Sequence, residues 1–343
     1  MFKQPNYNEN HLNLIRLLAA LGVLFSHSYA LALGNGGEQL EPINKACGIT
    51  LSYLSVDLFF VISGFLIAAS AVKLASQPKQ FAINRLARIL PGLLVANIVT
   101  VIAVGMIFNH TLAEAMRNSA KSVEYIIRNS VLIFGTQFRI ADAFANNPCP
   151  FDINGSLWTL RWEILCYIAI FLFIYVAANR AKRLAMPLVL GVIALRITLH
   201  IAGYQPGNWL ALPLRFGTTF GIGVLFYYHK AILSPAAYAL PFIVAAAIFF
   251  MMGFVEELSS PLVALSLLIL ALSVKGPLLA YNRLGDYSYG TYIYAFPIQQ
   301  SLVHFFAFSP LPLALTSSAV TIAVAVASWH FVELPFSKLL RKH

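Results

Sequence analysis

The sequence predicts an all-α, polytopic membrane protein with about ten transmembrane helices, and three observations carry that reading. Hydrophobic residues make up 59% of the chain and charged residues only 10%. A soluble domain carries roughly 25% charged residues, so a water-facing surface could not be built from this supply. The apolar residues come in runs of ~20, the length that crosses ~30 Å of hydrocarbon as a helix. Strict period-two alternation is absent, which argues against a β-barrel.

Taken in order, the expected spans are 11–33, 46–72, 89–108, 157–178, 184–201, 209–229, 235–253, 259–274, 287–308 and 312–334. No repeat or low-complexity linker separates them, so 1–343 reads as a single transmembrane domain. The polar segment after Met1 does not resemble a cleavable signal. One connection, 109–156, is long. Its 111–133 portion places Glu114, Arg117, Lys121, Glu124 and Arg128 at helical spacing. It reads as an amphipathic helix on the outer membrane face. The remainder, with Asn146, Asn147, Pro148 and Pro150, reads as irregular.

A net charge of +10 in a soluble protein would suggest nucleic acid. Here it marks cytoplasmic loops instead, and no nucleic-acid partner is expected. With a cytoplasmic N-terminus, the inner segments hold 14 Lys and Arg: Lys3, Lys73, Lys79, Arg85, Arg88, Arg180, Lys182, Arg183, Lys230, Lys275, Arg283, Lys338, Arg341 and Lys342. The outer segments hold five: Lys45, Arg117, Lys121, Arg128 and Arg139. The expectation is a multi-pass protein of the cell (inner) membrane with both termini cytoplasmic. Cys47 and Cys149 then share the outer side, where a disulfide is chemically allowed. Cys166 lies in a span as a small packing residue. The cysteine spacing fits no zinc site, and no metal is expected.

Ionisable groups inside a span are costly and suggest function or pairing. The spans hold Arg16, His27, Asp57, Arg161, Glu163, Arg196, His200, Arg215, His304, His330 and Glu333. Arg196, His200 and Glu333 are close enough to span ends to snorkel to water. Arg16 and His27 stand eleven residues apart. Eleven steps of ~100° return to within ~20°, so both share one helix face at a separation of ~16 Å. Arg16 is cytoplasmic and His27 in the outer half. Glu163 lies ~9 Å below the outer end of its own span, a depth similar to that of His27. A carboxylate can orient an imidazole acting as general base. A structural ion pair, with Arg161 for instance, is the alternative. Arg85 and Arg88 precede Pro91, and two guanidiniums at a helix start suit a polyphosphate. Taken alone, Arg85 and Arg88 read more simply as ordinary positive-inside anchors.

These segments together resemble the acyltransferase 3 family of membrane acyltransferases. LNLIRLLAALGVLFSHSYAL resembles its opening Arg-x10-His pattern at Arg16 and His27. VDLFFVISGFLI resembles the stretch from Asp57 to Phe65, which includes Ser63. NRLARILP matches the arginine segment at Arg85, Arg88, Ile89 and Pro91, with Asn84 in place of its first arginine. GSLWTLRWEILCY resembles the tryptophan box at Trp158, with Thr159 for a serine and the carboxylate at Glu163. LGDYSYGTYIYAFPIQ and FVELPF resemble the closing segments, the first including Tyr292. Many relatives carry a histidine where this chain has Ala295; its role is either vacant here or moved, with His304 the candidate.

The resemblance implies an O-acyltransferase. It would move an acyl group, acetyl by default, from cytoplasmic acyl-CoA to a hydroxyl of an extracytoplasmic or lipid-linked glycan. On that reading His27 and Glu163 are catalytic, and Arg16, Arg85 and Arg88 bind acyl-CoA. Asp57, Ser63, Trp158 and Tyr292 support the cavity. Tyr287, Tyr289, Tyr292 and Tyr294 can line an acceptor path, but read more simply as interfacial aromatic anchors. A proton-coupled membrane transporter, in which intramembrane His and Glu relay protons, is the alternative.

Overall fold

The computed structural model describes residues 10–108, 112–132, 135–229, 239–252 and 254–341. Every regular element among them is helical. In chain order the α-helices are α1 (Leu12–Leu33), α2 (Pro42–Cys47), α3 (Leu51–Lys73), α4 (Pro78–Phe108), α5 (Leu112–Val131), α6 (Trp158–Ala177), α7 (Ala181–Ile201), α8 (Asn208–His229), α9 (Ala239–Met252), α10 (Ser260–Ser273), α11 (Ser288–Phe306), α12 (Pro310–Ser328) and α13 (Leu334–Arg341). Among the described residues, seven helical stretches are long and apolar enough to cross a membrane. One of these, Trp158–Ile201, holds both α6 and α7. With the short apolar α9 and the tyrosine-rich α11, each of the ten expected segments contains a helix among the described residues. Side chains such as Met106, Leu172, Val176 and Ile201 are exposed on these helices, as a lipid-facing surface requires. Lys3, Lys230 and Lys342 from the inner-side charge count lie outside the described residues.

The main departure is α4. It was expected to start near residue 89, but it starts at Pro78 and runs unbroken through Pro91. Arg85 and Arg88 therefore sit in a helix interior, where the backbone N–H groups are already bonded. The polyphosphate argument from a helix N-terminus does not apply to them.

The chain forms two compact units, each assembled from distant segments. The first comprises Met1–Ala19, Ala46–Phe81 and Trp162–Gly285. Its centre is the parallel pair α3 and α8. Asp57 meets Arg215, Phe60 stacks on Phe216 at 4.1 Å, and Phe65 contacts Phe226. The pair can approach this closely only through glycine. A Cβ on Gly64 would lie 2.1 Å from the Phe220 carbonyl oxygen, and one on Gly223 would lie 2.1 Å from that of Val61. Leu58, Val61, Ile62 and Phe65 of α3 pack with Leu12 of α1 and with Ala264 and Leu268 of α10.

The second unit comprises Ala20–Lys45, Ala82–Arg161 and Asp286–His343. In it α1 and α11 run parallel. Leu24 packs with Ala295, and Leu31 packs with Val303. Between them Gln299 Nε2 donates to the Leu24 carbonyl and to Ser28 Oγ. Helix α5 forms as its spacing predicts and buries Tyr125 against Val104, Ile140 and Phe144. The segment after α5 is irregular, as expected, yet firmly tied. Asn129 bonds the backbone of Gln137 in both directions. Gln300 donates to the carbonyls of Cys149 and Asp152, and Asn154 donates to that of Ile293. Cys47, Cys149 and Cys166 are all free thiols, so the disulfide allowed by topology is not formed.

Candidate active site

In the second unit His27 sits six residues before the end of α1. Both neighbouring serines are held. Ser26 donates to Glu41 at 2.6 Å, and Ser28 accepts from Gln299 and donates to the Leu24 carbonyl. The imidazole packs edge-on against Phe296 at 5.3 Å. Its Nδ1 is buried and has no hydrogen-bond partner among the described residues. An unpaired buried polar atom is uncommon in a native structure and calls for a partner that arrives from outside. The loop Asn154–Ser156 closes on the same helix. Gly155 lies against the Phe296 ring so closely that a Cβ would meet it at 2.7 Å.

The tyrosines of α11 are buried and internally bonded, which corrects their reading as interfacial anchors. Tyr292 pairs with Thr159 at 2.7 Å and donates to the Ser156 carbonyl. Tyr289 donates to the Ile89 carbonyl, just ahead of Pro91. Tyr287 meets His330 at 3.2 Å. Trp158 opens α6 and is half-buried. Ala295 packs with Leu24 and Ala314. His304 lies nine residues further on, in the last turn of α11, among Phe108, Phe144 and Phe305. That is ~13.5 Å along the helix, so His304 does not replace a histidine at position 295.

On α4, Arg85 and Arg88 are half-buried. Arg88 forms a salt bridge with Asp286, a carboxylate that sequence reasoning passed over. Asp286 also accepts from Ser288 Oγ at 2.5 Å and from the Ser288 backbone N–H at 3.3 Å, capping the start of α11. Glu333, expected to snorkel, is instead buried and accepts from Ser328.

In the first unit Glu163 lies one to two turns into α6. Its Oε1 accepts from Ser63 Oγ at 3.2 Å and from the Tyr167 hydroxyl. Ser63, expected as a supporting residue, bonds this carboxylate directly. Asp57 is fully buried. Its Oδ1 accepts from Arg215 Nε at 3.0 Å and its Oδ2 from Ser260 Oγ at 2.7 Å. Arg215 also donates to the Tyr53 carbonyl and stacks over the Tyr53 ring at 3.4 Å. Three helices thus converge on one carboxylate. Their partnership was not readable from spacing, because residues 57, 215 and 260 are far apart in the chain. Arg16 is half-buried on α1 in this unit. His27 and Glu163 belong to different units.

The model of the acyltransferase domain, the acyltransferase 3 family, matches residues 9–330. An O-acetyl transferase of Shigella phage Sf6 is 30% identical over 96% of this chain and 96% of its own. Nodulation protein 10 of Rhizobium leguminosarum bv. viciae is 27% identical over 97% of this chain and 94% of its own. The peptidoglycan O-acetyltransferase OatA of Listeria monocytogenes is 28% identical over 46% of this chain and 25% of its own. No solved structure matches. With the family model covering nearly the whole of an all-helical, membrane-spanning chain, this protein belongs to the acyltransferase 3 family and is a membrane acyltransferase.

Proposed function

We propose that the protein transfers an acetyl group from cytoplasmic acetyl-CoA to a hydroxyl of an extracytoplasmic or lipid-linked glycan. It acts in the cytoplasmic membrane with both termini inside. The observation that carries the chemistry is His27: a buried, unpaired Nδ1 on an imidazole whose flanking serines are already held. Such a nitrogen suits a general base awaiting a substrate proton.

His27 removes the acceptor hydroxyl proton as that oxygen attacks the thioester carbonyl carbon. A C–O bond forms and the C–S bond breaks. The imidazolium returns its proton to the departing CoA thiolate, and no other reactant is needed. Glu163, whose carboxylate is already held by Ser63 and Tyr167, is the second catalytic residue of this reading. Arg16, Arg85 and Arg88 meet the donor phosphates. Arg88 does so while sharing its charge with Asp286.

The test is His27→Ala, with the surface glycan analysed by mass spectrometry and CoA release followed in purified protein. Loss of both, in a variant that inserts and remains folded, is the expected result. Retained acetylation would remove His27 from the chemistry. If the wild-type protein releases no CoA from acetyl-CoA in the presence of acceptor, the acyl-transfer reading itself falls.

A further inference from the structure

The first unit contains a cavity of about 620 Å³, well within the range of ~300–1,000 Å³ typical of ligand sites. Its walls come from three connections at one end of the unit: Cys47–Ile49 before α3, Gly203–Pro206 after α7, and Val255–Glu257 before α10. The charge count assigns that end to the outside. We infer that this cavity binds a neutral saccharide segment of the acceptor, an assignment that rests on the glycan acyltransferase reading above.

Two features select that ligand class. The first is the balance of charge. Arg196 and Arg215 line the cavity, but so do Glu256 and Glu257, and Asp57 lies directly behind Arg215. Two guanidiniums against three carboxylates do not make an anion site. They make a surface with both donors and acceptors, which is what vicinal hydroxyls require. The second is what remains uncommitted. Arg215 is occupied by Asp57 and by the Tyr53 carbonyl. Glu257 is occupied by His200 at 3.0 Å. Arg196 donates through Nη2 to the Tyr53 hydroxyl at 3.1 Å, while its Nη1 is buried with no partner among the described residues. Arg196 thus lines the cavity with a guanidinium that keeps one donor unmatched by any described residue, and an oxygen from outside the protein can meet it once the side chain turns. Tyr204 adds an aromatic surface at the mouth.

Helix α3 links the cavity lining to Glu163 within the same unit. Tyr53, Asp57, Phe60 and Ser63 succeed one another along α3, and Ser63 bonds Glu163. From Asp57 to Ser63 is a rise of only ~9 Å. Phe216, next to Arg215, stacks on Phe60 and touches Trp162, the neighbour of Glu163.

The experiment titrates the purified full-length protein in micelles with the oligosaccharide released from the surface polysaccharide of its native cell. Saturation-transfer NMR is the readout, and inorganic phosphate is the competitor. The expected result is saccharide binding that phosphate does not displace, weakened at least tenfold by Arg196→Gln and also weakened by Tyr204→Ala. Tyr204 is more than half exposed, so the second variant keeps the test alive if the first misfolds. Unaltered binding in both variants, or displacement by phosphate, would overturn the assignment. Binding needs no turnover, so failure of this site is distinct from a wild-type protein that releases no CoA.

Discussion

Asp57→Ala should be among the most destabilising single changes in the first unit. Asp57 is wholly buried, and Arg215 is only 11% exposed. Removing the carboxylate deletes the contacts from Arg215 Nε and Nη2, both at 3.0 Å, and leaves Ser260 without its acceptor. What remains for the guanidinium is the Tyr53 carbonyl and ring face. Breaking a buried pair from one side costs about 3–5 kcal/mol, because a charge is stranded. At ~2 °C per kcal/mol for a chain of this size, the melting temperature should fall by about 6–10 °C. The assay is thermal unfolding in detergent micelles, followed by tryptophan fluorescence. The double variant Asp57→Ala, Arg215→Leu removes both charges and should recover most of the loss, because the penalty belongs to the stranded partner. A single variant melting within ~1 °C of wild type, or a double variant less stable than either single, would refute the reasoning.

Gly64→Ala should cost about 1–3 kcal/mol in the same melt, since its Cβ would lie 2.1 Å from a backbone oxygen of α8 that cannot move alone. Gly191→Ala in α7 meets nothing within 4 Å and should gain up to ~1 kcal/mol from helix propensity, which serves as the control. Asp286→Asn should tighten acyl-CoA binding several-fold by calorimetry, because Arg88 is released from its internal counter-ion; unchanged or weaker binding would separate Arg88 from the donor. Burial holds the Asp152 carboxyl above its usual range, against an opposing pull from Arg139. A carboxyl with a raised folded-state pKa contributes stability that is present below its ordinary pKa and lost as pH rises through the folded value. Wild type should therefore lose some stability across that window, and Asp152→Asn should flatten this part of the stability profile.

The helices were legible because hydrocarbon imposes one rule on every residue of a span. The ends of α1, α8 and α10 fall within one residue of the expected bounds. The failure at α4 has a local cause. Pro91 reads as a helix start because proline is favoured there, but inside a membrane protein neighbouring groups can satisfy a proline-broken ladder. The site was legible only one residue at a time. His27, Glu163, Asp57 and Ser63 stood out as polar groups in apolar runs. Their partners did not. Tyr167, Gln299 and Ser260 are residues any helix can carry, and Asp286 looked like part of a loop. Only the packing of α3 with α8, and of α1 with α11, reveals why those positions are polar.

On the proposed roles of Arg88 at the donor and His27 as base, the Arg88–Asp286 pair bears on both. A donor site for a polyphosphate would be expected to present bare cations, yet Arg88 already holds a carboxylate. A phosphate that reaches Arg88 therefore has to compete with that carboxylate. The same carboxylate caps α11 through Ser288. Further along, α11 presents Tyr292 to the Ser156–Thr159 turn and Phe296 to the His27 ring, while Gln299 holds Ser28 beside that histidine. Any phosphate that competes with Asp286 for Arg88 therefore pulls on the cap of the helix that shapes the surroundings of His27. The arginine motif and the histidine motif lie far apart in the sequence and on different helices. Helix α11, capped by Asp286 and packed on His27 through Phe296, is the element that touches the surroundings of both.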